Sequence, residues 1–137
     1  VSLVLDNSVA LAWCFEAEQT PPAMEVLGRV ARDGAVAPML WPLEAQNGLL
    51  MAVRRQRLDM ARMAEIVGFL RDLPIALDQE TADRAWRETA ALAANHGLTV
   101  YDTTYLELAM RRGLPLATTD RTLRAAAEKV GVSLLGQ

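Results

Sequence analysis

Short continuous apolar runs alternate along the chain with longer stretches in which apolar positions recur every three or four residues. The first pattern predicts short buried strands and the second amphipathic helices. Leu3–Leu5 reads as a strand, followed by a helix to about Glu16. Pro21 and Pro22 open a second helix, in which Met24, Leu27, Val30 and Ala31 keep helical spacing and Gly34 closes the element. The stretch AVAP is a strand, and Pro42 then starts a helix through LEAQNGLLMAVRRQ. Asp59 caps a helix that runs to about Arg71, and Pro74 ends it. PIAL is a strand, after which Asp78 caps a long helix ending at Gly97. Thr99 opens a helix to Gly113, LPLATT is a strand, Asp120 opens a helix to Gly131, and VSLL is the last strand. There is no repeat, linker or low-complexity segment, so residues 1–137 form one domain. Strands interleaved with helices predict an α/β architecture of three layers: a central parallel sheet of about five short strands, flanked by helices and joined by right-handed crossovers.

Composition narrows the classes. An apolar fraction of 52% and a mean hydropathy of +0.12 suit a globule with a substantial core. No apolar run approaches the roughly 20 residues of a membrane helix, and the first residues lack the basic and apolar regions of a signal peptide. The single cysteine, Cys14, excludes an internal disulfide framework and suits a reducing cytoplasm, with a packing role expected for it. A net charge of −3 does not advertise nucleic-acid binding, although all but Lys129 of the 14 basic residues are arginine, the side chain suited to planar phosphate recognition.

The chemistry lies with the acids. Of the 17, Asp6, Glu44, Asp102 and Asp120 occupy strongly apolar settings at strand ends or helix starts. Each has a structural explanation: Asp6 and Asp120 as N-caps, Glu44 in a first turn where a carboxylate favours the dipole, Asp102 in a capping-box arrangement with Thr99. Their shared topology suggests more. In an open parallel sheet, strand ends and the following helix starts meet at one edge, where ligands bind. Asp102 heads a helix that precedes a strand, so topology alone fixes its place less firmly. Converged carboxylates repel one another unless a cation lies between them, and hard oxygen donors point to Mg²⁺ or Mn²⁺. Zinc is disfavoured, because the one His and one Cys form no ligand-spaced pair.

The stretches VLDNSVALAW, LWPLEAQNGL, LTVYDTTYLELA and LPLATTD resemble, in order and spacing, the motifs of PIN-domain ribonucleases. Length and the APMLWPLE context are most similar to the VapC toxins of bacterial toxin–antitoxin operons. The resemblance implies that Asp6, Glu44, Asp102 and Asp120 form an acidic metal site, with Asp6 and Asp102 as direct ligands. Glu44 and Asp120 would act through water, at a second ion, or by orienting the nucleophile. Ser8 and Thr118 match supporting polar positions, and Asn47 a frequent Asn one turn after the glutamate. Asn7 departs from the small or hydroxyl residue common there. The implied activity is metal-dependent endoribonuclease cleavage of structured RNA such as tRNA or rRNA, leaving a 5′-phosphate and a 3′-hydroxyl. The implied partners are a cognate antitoxin protein and a second copy in a homodimer.

Other residues are expected to be structural. Trp13, Trp41 and Trp86, with Met51, Met60, Met63 and Met110, read as packing residues. His96 reads as a helix-end residue, and the basic run Arg54–Arg57 and the pair Arg111–Arg112 as solvated helix ends. A receiver domain would want a lysine at a strand end, and a dehalogenase-type phosphatase an aspartate where Ser8 stands. A catalytically silent binding module of the same fold, or a PIN nuclease of RNA processing, are the alternatives that keep the motifs.

Overall fold

Leu3 and Leu5 pack on one side of the first strand and Val4 on the other, and this period of two divides the core. The computed structural model describes residues 1–137. Its sheet contains β1 (Val4–Leu5), β2 (Ala35–Pro38), β3 (Ile75–Asp78), β4 (Leu116–Ala117) and β5 (Leu134–Leu135). All pairs are parallel and the order is β3-β2-β1-β4-β5, so β1 is central. Eight helical segments surround it: α1 (Asn7–Cys14), α2 (Pro21–Asp33), α3 (Trp41–Arg54), α4 (Met60–Asp72), α5 (Thr81–Arg84), α6 (Ala90–His96), α7 (Val100–Arg112) and α8 (Arg121–Val130).

Leu3, Leu5, Ala35 and Ala37 join Val9, Trp13, Val30, Leu49 and Leu70 in the core beneath α1 to α4. Val4, Val36 and Leu116 join Tyr105, Leu106, Leu108, Leu123 and Ala127 beneath α7 and α8. The predicted three-layer α/β/α architecture is therefore present. Helix starts follow the predicted capping chemistry: Asp59 accepts from the Arg62 amide at 2.7 Å, Thr99 from Asp102 at 3.1 Å and Asp120 from Leu123 at 2.9 Å. Gly48 brings α1 against α3. A Cβ there would lie 2.5 Å from Leu11 Cδ1, so the bare position is what lets Leu11 reach the α3 backbone.

Several elements differ from the sequence reading. LPLATT is strand only at Leu116–Ala117: the Thr118 amide still donates to the Leu135 carbonyl, while the Thr118 hydroxyl bonds Asp6 and the Thr119 amide bonds Ser8. The first helix stops at Cys14, and Glu16 belongs to a separate 3₁₀ turn, Glu16–Glu18. Asp78 is no helix cap: it ends β3, its carboxylate pairs with Arg111, and the helix begins at Thr81. The long helix expected up to Gly97 runs without a break from Thr81 to His96, with a π-helical turn, Ala85–Thr89, between α5 and α6.

Candidate active site

Parallel pairing of Leu5 with Ala117 sets the next residues, Asp6 and Thr118, side by side at the sheet edge. The Asp6 amide donates to the Ala117 carbonyl, which holds the backbone there. Only 6% of Asp6 is exposed. Its Oδ2 accepts from Ser8 Oγ at 2.5 Å, Thr118 Oγ1 at 2.9 Å and the Ser8 amide at 3.3 Å. Ser8 Oγ in turn accepts from the Thr119 amide, and Thr118 Oγ1 from the Asp120 amide, both at 3.0 Å. With each hydroxyl accepting a backbone N–H, its proton is left to Asp6. Asp6 Oδ1 takes part in none of these bonds. Asp6 is thus both the cap of α1 and the most buried member of the acidic group.

Glu44 lies in the first turn of α3, half-buried, and its Oε1 accepts from the Tyr105 hydroxyl at 2.5 Å. Asp102 lies in the first turn of α7, three residues before Tyr105, so both fall on one face of that helix. Burial pushes the Asp6 carboxyl above its ordinary range, outweighing the lowering bonds from Ser8 and Thr118, with Asp102 adding repulsion. Burial also raises Glu44, against the lowering bond from Tyr105, while Asp6 and Asp102 repel its charge. Asp102 is raised by burial and then by the charge of Asp120. Tyr105, fully buried, is held well above the usual phenol range by burial, by Glu44 and by the other two acids. Asp6, Glu44 and Asp102 therefore feel one another's charge, and Asp120 acts on Asp102. Asp102, whose place was least fixed by topology, is coupled to Asp6, Glu44 and Asp120.

Residues 3–129 match the PIN domain family. The chain belongs to that family. Among solved structures, this PIN domain is similar to PAE2754 from Pyrobaculum aerophilum, at 26% identity and a TM-score of 0.72, over 98% of this chain and 90% of that one. It is also similar to FitAcB from Neisseria gonorrhoeae, at 18% identity and a TM-score of 0.58, over 96% of this chain and 95% of that one. A toxin–antitoxin complex from Klebsiella pneumoniae is similar at 17% identity and a TM-score of 0.52, over 87% of each chain. The latter two likenesses are of fold. No curated protein matches the chain.

The donors that this PIN domain gathers are carboxylate oxygens, which suit a hard divalent cation. No three of its acidic side chains stand close enough to cage an ion by themselves. Mg²⁺ does not require that, since it takes one or two carboxylates and fills its other positions with water and substrate phosphates. Asp6 Oδ1, free of hydrogen bonds, and the half-buried Asp102 are the groups best placed to serve.

Ser8 and Thr118 sit in the hydrogen-bond network just described. Asn47 is exposed on α3, and its side chain makes no hydrogen bond to the acids. Two contributors escaped the sequence reading. Tyr105 could have been noticed from its spacing to Asp102. Arg124, four residues after Asp120, donates to the Thr118 carbonyl at 2.6 Å and the Leu135 carbonyl at 3.1 Å, bracing that end of the sheet.

Arg111 is not a solvated helix end. It bonds Asp78 at 2.6 Å, Glu107 at 2.8 Å and Glu80 at 3.2 Å, with only 14% of its side chain exposed. Burial would raise Asp78, but bonds and charge from Arg111 prevail and hold it below the usual carboxylate range. Trp86, expected to pack, is 90% exposed within the π-helical turn, and Met60 and Met110 are exposed as well. Trp13 and Trp41 are buried as expected. No helix is long and apolar enough to cross a membrane.

Proposed function

We propose that this PIN domain is a Mg²⁺- or Mn²⁺-dependent endoribonuclease that acts as the toxin of a toxin–antitoxin pair. The observation that carries the reading is that Asp6, Glu44 and Asp102, from three separate segments, raise one another's carboxyl groups at the sheet edge, with Asp120 adding its charge at Asp102. Uncompensated, this arrangement destabilises the fold, which is expected where the fold serves a ligand rather than itself. When bound, a divalent cation supplies Lewis acidity toward water and the phosphodiester and offsets the repulsion.

The residues divide the work by their surroundings. Asp6, fixed through Oδ2, and Asp102 would hold the cation. Glu44, oriented by Tyr105 and with its carboxyl raised by burial, would take the proton of the attacking water. The water oxygen would bond to phosphorus as the bond to the 3′ oxygen breaks and that oxygen takes a proton from solvent, leaving a 5′-phosphate and a 3′-hydroxyl. Asp120, held as the cap of α8, would act through water or orient the nucleophile. Ser8 and Thr118 position Asp6, and Asn47, on the same helix as Glu44, would play an indirect role.

The toxin assignment is supported by the similarity to a toxin–antitoxin complex. Exposed apolar side chains also flank the acids, Leu43 beside Glu44 and Tyr101 beside Asp102, as a covering antitoxin segment or a second copy would require. The working compartment of this reading is the cytoplasm. The test is incubation of the purified protein with total tRNA and rRNA, with Mn²⁺ and with EDTA. Metal-dependent cleavage supports the reading, and RNA left intact under both conditions rejects it.

A further inference from the structure

Phosphate-bearing substrates meet an electrostatic problem at this site, because carboxylates repel the strand they are to cut. The structure offers an answer on the other side of Ser8. A cleft of about 660 Å³ begins at Ser8 and Thr119, which border the acidic group, and extends to Arg55 and Arg57. Its course follows from helix packing. Asp6 caps α1 and Glu44 opens α3, the two helices touch midway at Leu11 and Gly48, and their far ends meet where Arg57 stacks over Phe15 at 4.3 Å. They run side by side in one direction, acids at one end and arginines at the other. Glu44 and Arg55 are therefore separated by roughly 16 Å along α3, at 1.5 Å per residue.

The two arginines differ. Arg57 is braced by the Phe15 ring and by Glu18 at 3.7 Å, and Gln56 turns the chain toward it with a left-handed φ of 60°. Arg55 is exposed, lines the cleft and makes no side-chain hydrogen bond or ion pair. A guanidinium left free in a cleft that leads to a phosphodiester-cleaving centre is matched to a phosphate of the same strand.

We infer that Arg55, with Arg57 beside it, binds the phosphate backbone of a single-stranded RNA segment a few nucleotides from the scissile bond. This rests on the ribonuclease reading and adds where the strand lies. The contact reads charge and not base identity, so it contributes affinity uniformly across sequences.

The test measures binding of a fluorescein-labelled single-stranded RNA by anisotropy, in EDTA, across a range of NaCl concentrations. Wild type and Arg55→Glu are compared, with thermal melts to verify that the exposed substitution leaves the fold intact. Arg55→Glu should weaken binding at low salt and lower the slope of log affinity against log salt by at least about 0.7, the value for one phosphate contact on a single strand. A purely structural Arg55 would not move that slope. Cleavage by wild type with unchanged affinity and slope in Arg55→Glu overturns the inference and leaves the nuclease reading standing. No RNA binding and no cleavage by wild type overturns both. If Arg55→Glu keeps its RNA affinity but loses binding of a poly-glutamate peptide that wild type binds, the cleft docks an acidic protein partner and the inference is wrong.

Discussion

The Tyr105 hydroxyl donates to Glu44 Oε1 at 2.5 Å, joining α7 to α3 across the acidic edge although the two residues lie 61 positions apart. Asp102 is on the same face of α7, so one helix both supplies an acid and orients another. Tyr105→Phe removes the orienting bond while keeping the ring in the core. Removal of such an outer partner should lower cleavage by roughly 10- to 100-fold. Stability should fall by only about 1–2 kcal/mol. Steady-state cleavage and thermal melts of the variant check both effects.

The acids also predict a pH dependence. Asp6, Glu44 and Asp102 have carboxyl groups raised in the folded state, from ordinary values of 3.8, 4.5 and 3.8. The fold therefore holds more protons than the unfolded chain. Their stabilising contribution is full below about pH 4 and is lost as pH rises through the raised values. Metal-free protein should thus melt lower at pH 7 than at mildly acidic pH, and Asp102→Asn should flatten that dependence and melt higher than wild type without metal. Mn²⁺ should raise the wild-type melting temperature by mass action and that of the variant much less. Melts in EDTA and in Mn²⁺ across pH check the sign.

The Asp78–Arg111 pair acts in the opposite sense. Its carboxyl is lowered, so its stabilisation is present above the ordinary 3.8 and lost as pH falls through the depressed value. Asp78→Ala leaves the buried Arg111 with Glu107 and Glu80 and should cost about 2–3 kcal/mol. That corresponds to a drop of roughly 10 °C in melting temperature. Cleavage measured below the transition should be retained, since the pair lies outside the acidic group.

These contrasts mark what could be read from the sequence. The positions of Asp6, Glu44 and Asp120 at strand ends and helix starts were legible because capping and strand-end positions are local signals. Asp102 needed the family motif, because the path of α7 across the sheet is a tertiary property. Asp78 stood after a strand as a cap would, and only its partner 33 residues away separates the two readings. Strand lengths were overestimated for a related reason. Thr118 and Thr119 have strand-like sequence, and the Thr118 amide still bonds the Leu135 carbonyl, but the Thr119 amide is taken by the Ser8 hydroxyl and the strand ends there. Trp86 was misplaced because hydrophobicity alone does not say which face of a helical run meets the core.

The toxin reading predicts a phenotype. Expression of the wild-type chain without an antitoxin should arrest bacterial growth, and Asp6→Asn at matched protein level should not. Asn still caps a helix nearly as well as Asp, so loss of arrest would reflect the site and not the fold. Growth curves with quantified expression check it.

The central claim is that the converged acids make this PIN domain a metal-dependent ribonuclease. Cleavage of total tRNA and rRNA by wild type and Asp102→Asn, with Mn²⁺ and with EDTA, tests it most directly. Wild type should produce discrete fragments bearing 5′-phosphates in Mn²⁺ and none in EDTA, and folded Asp102→Asn should produce none in either. Equal cleavage by a folded Asp102→Asn protein, free of contaminating nuclease, would contradict the account.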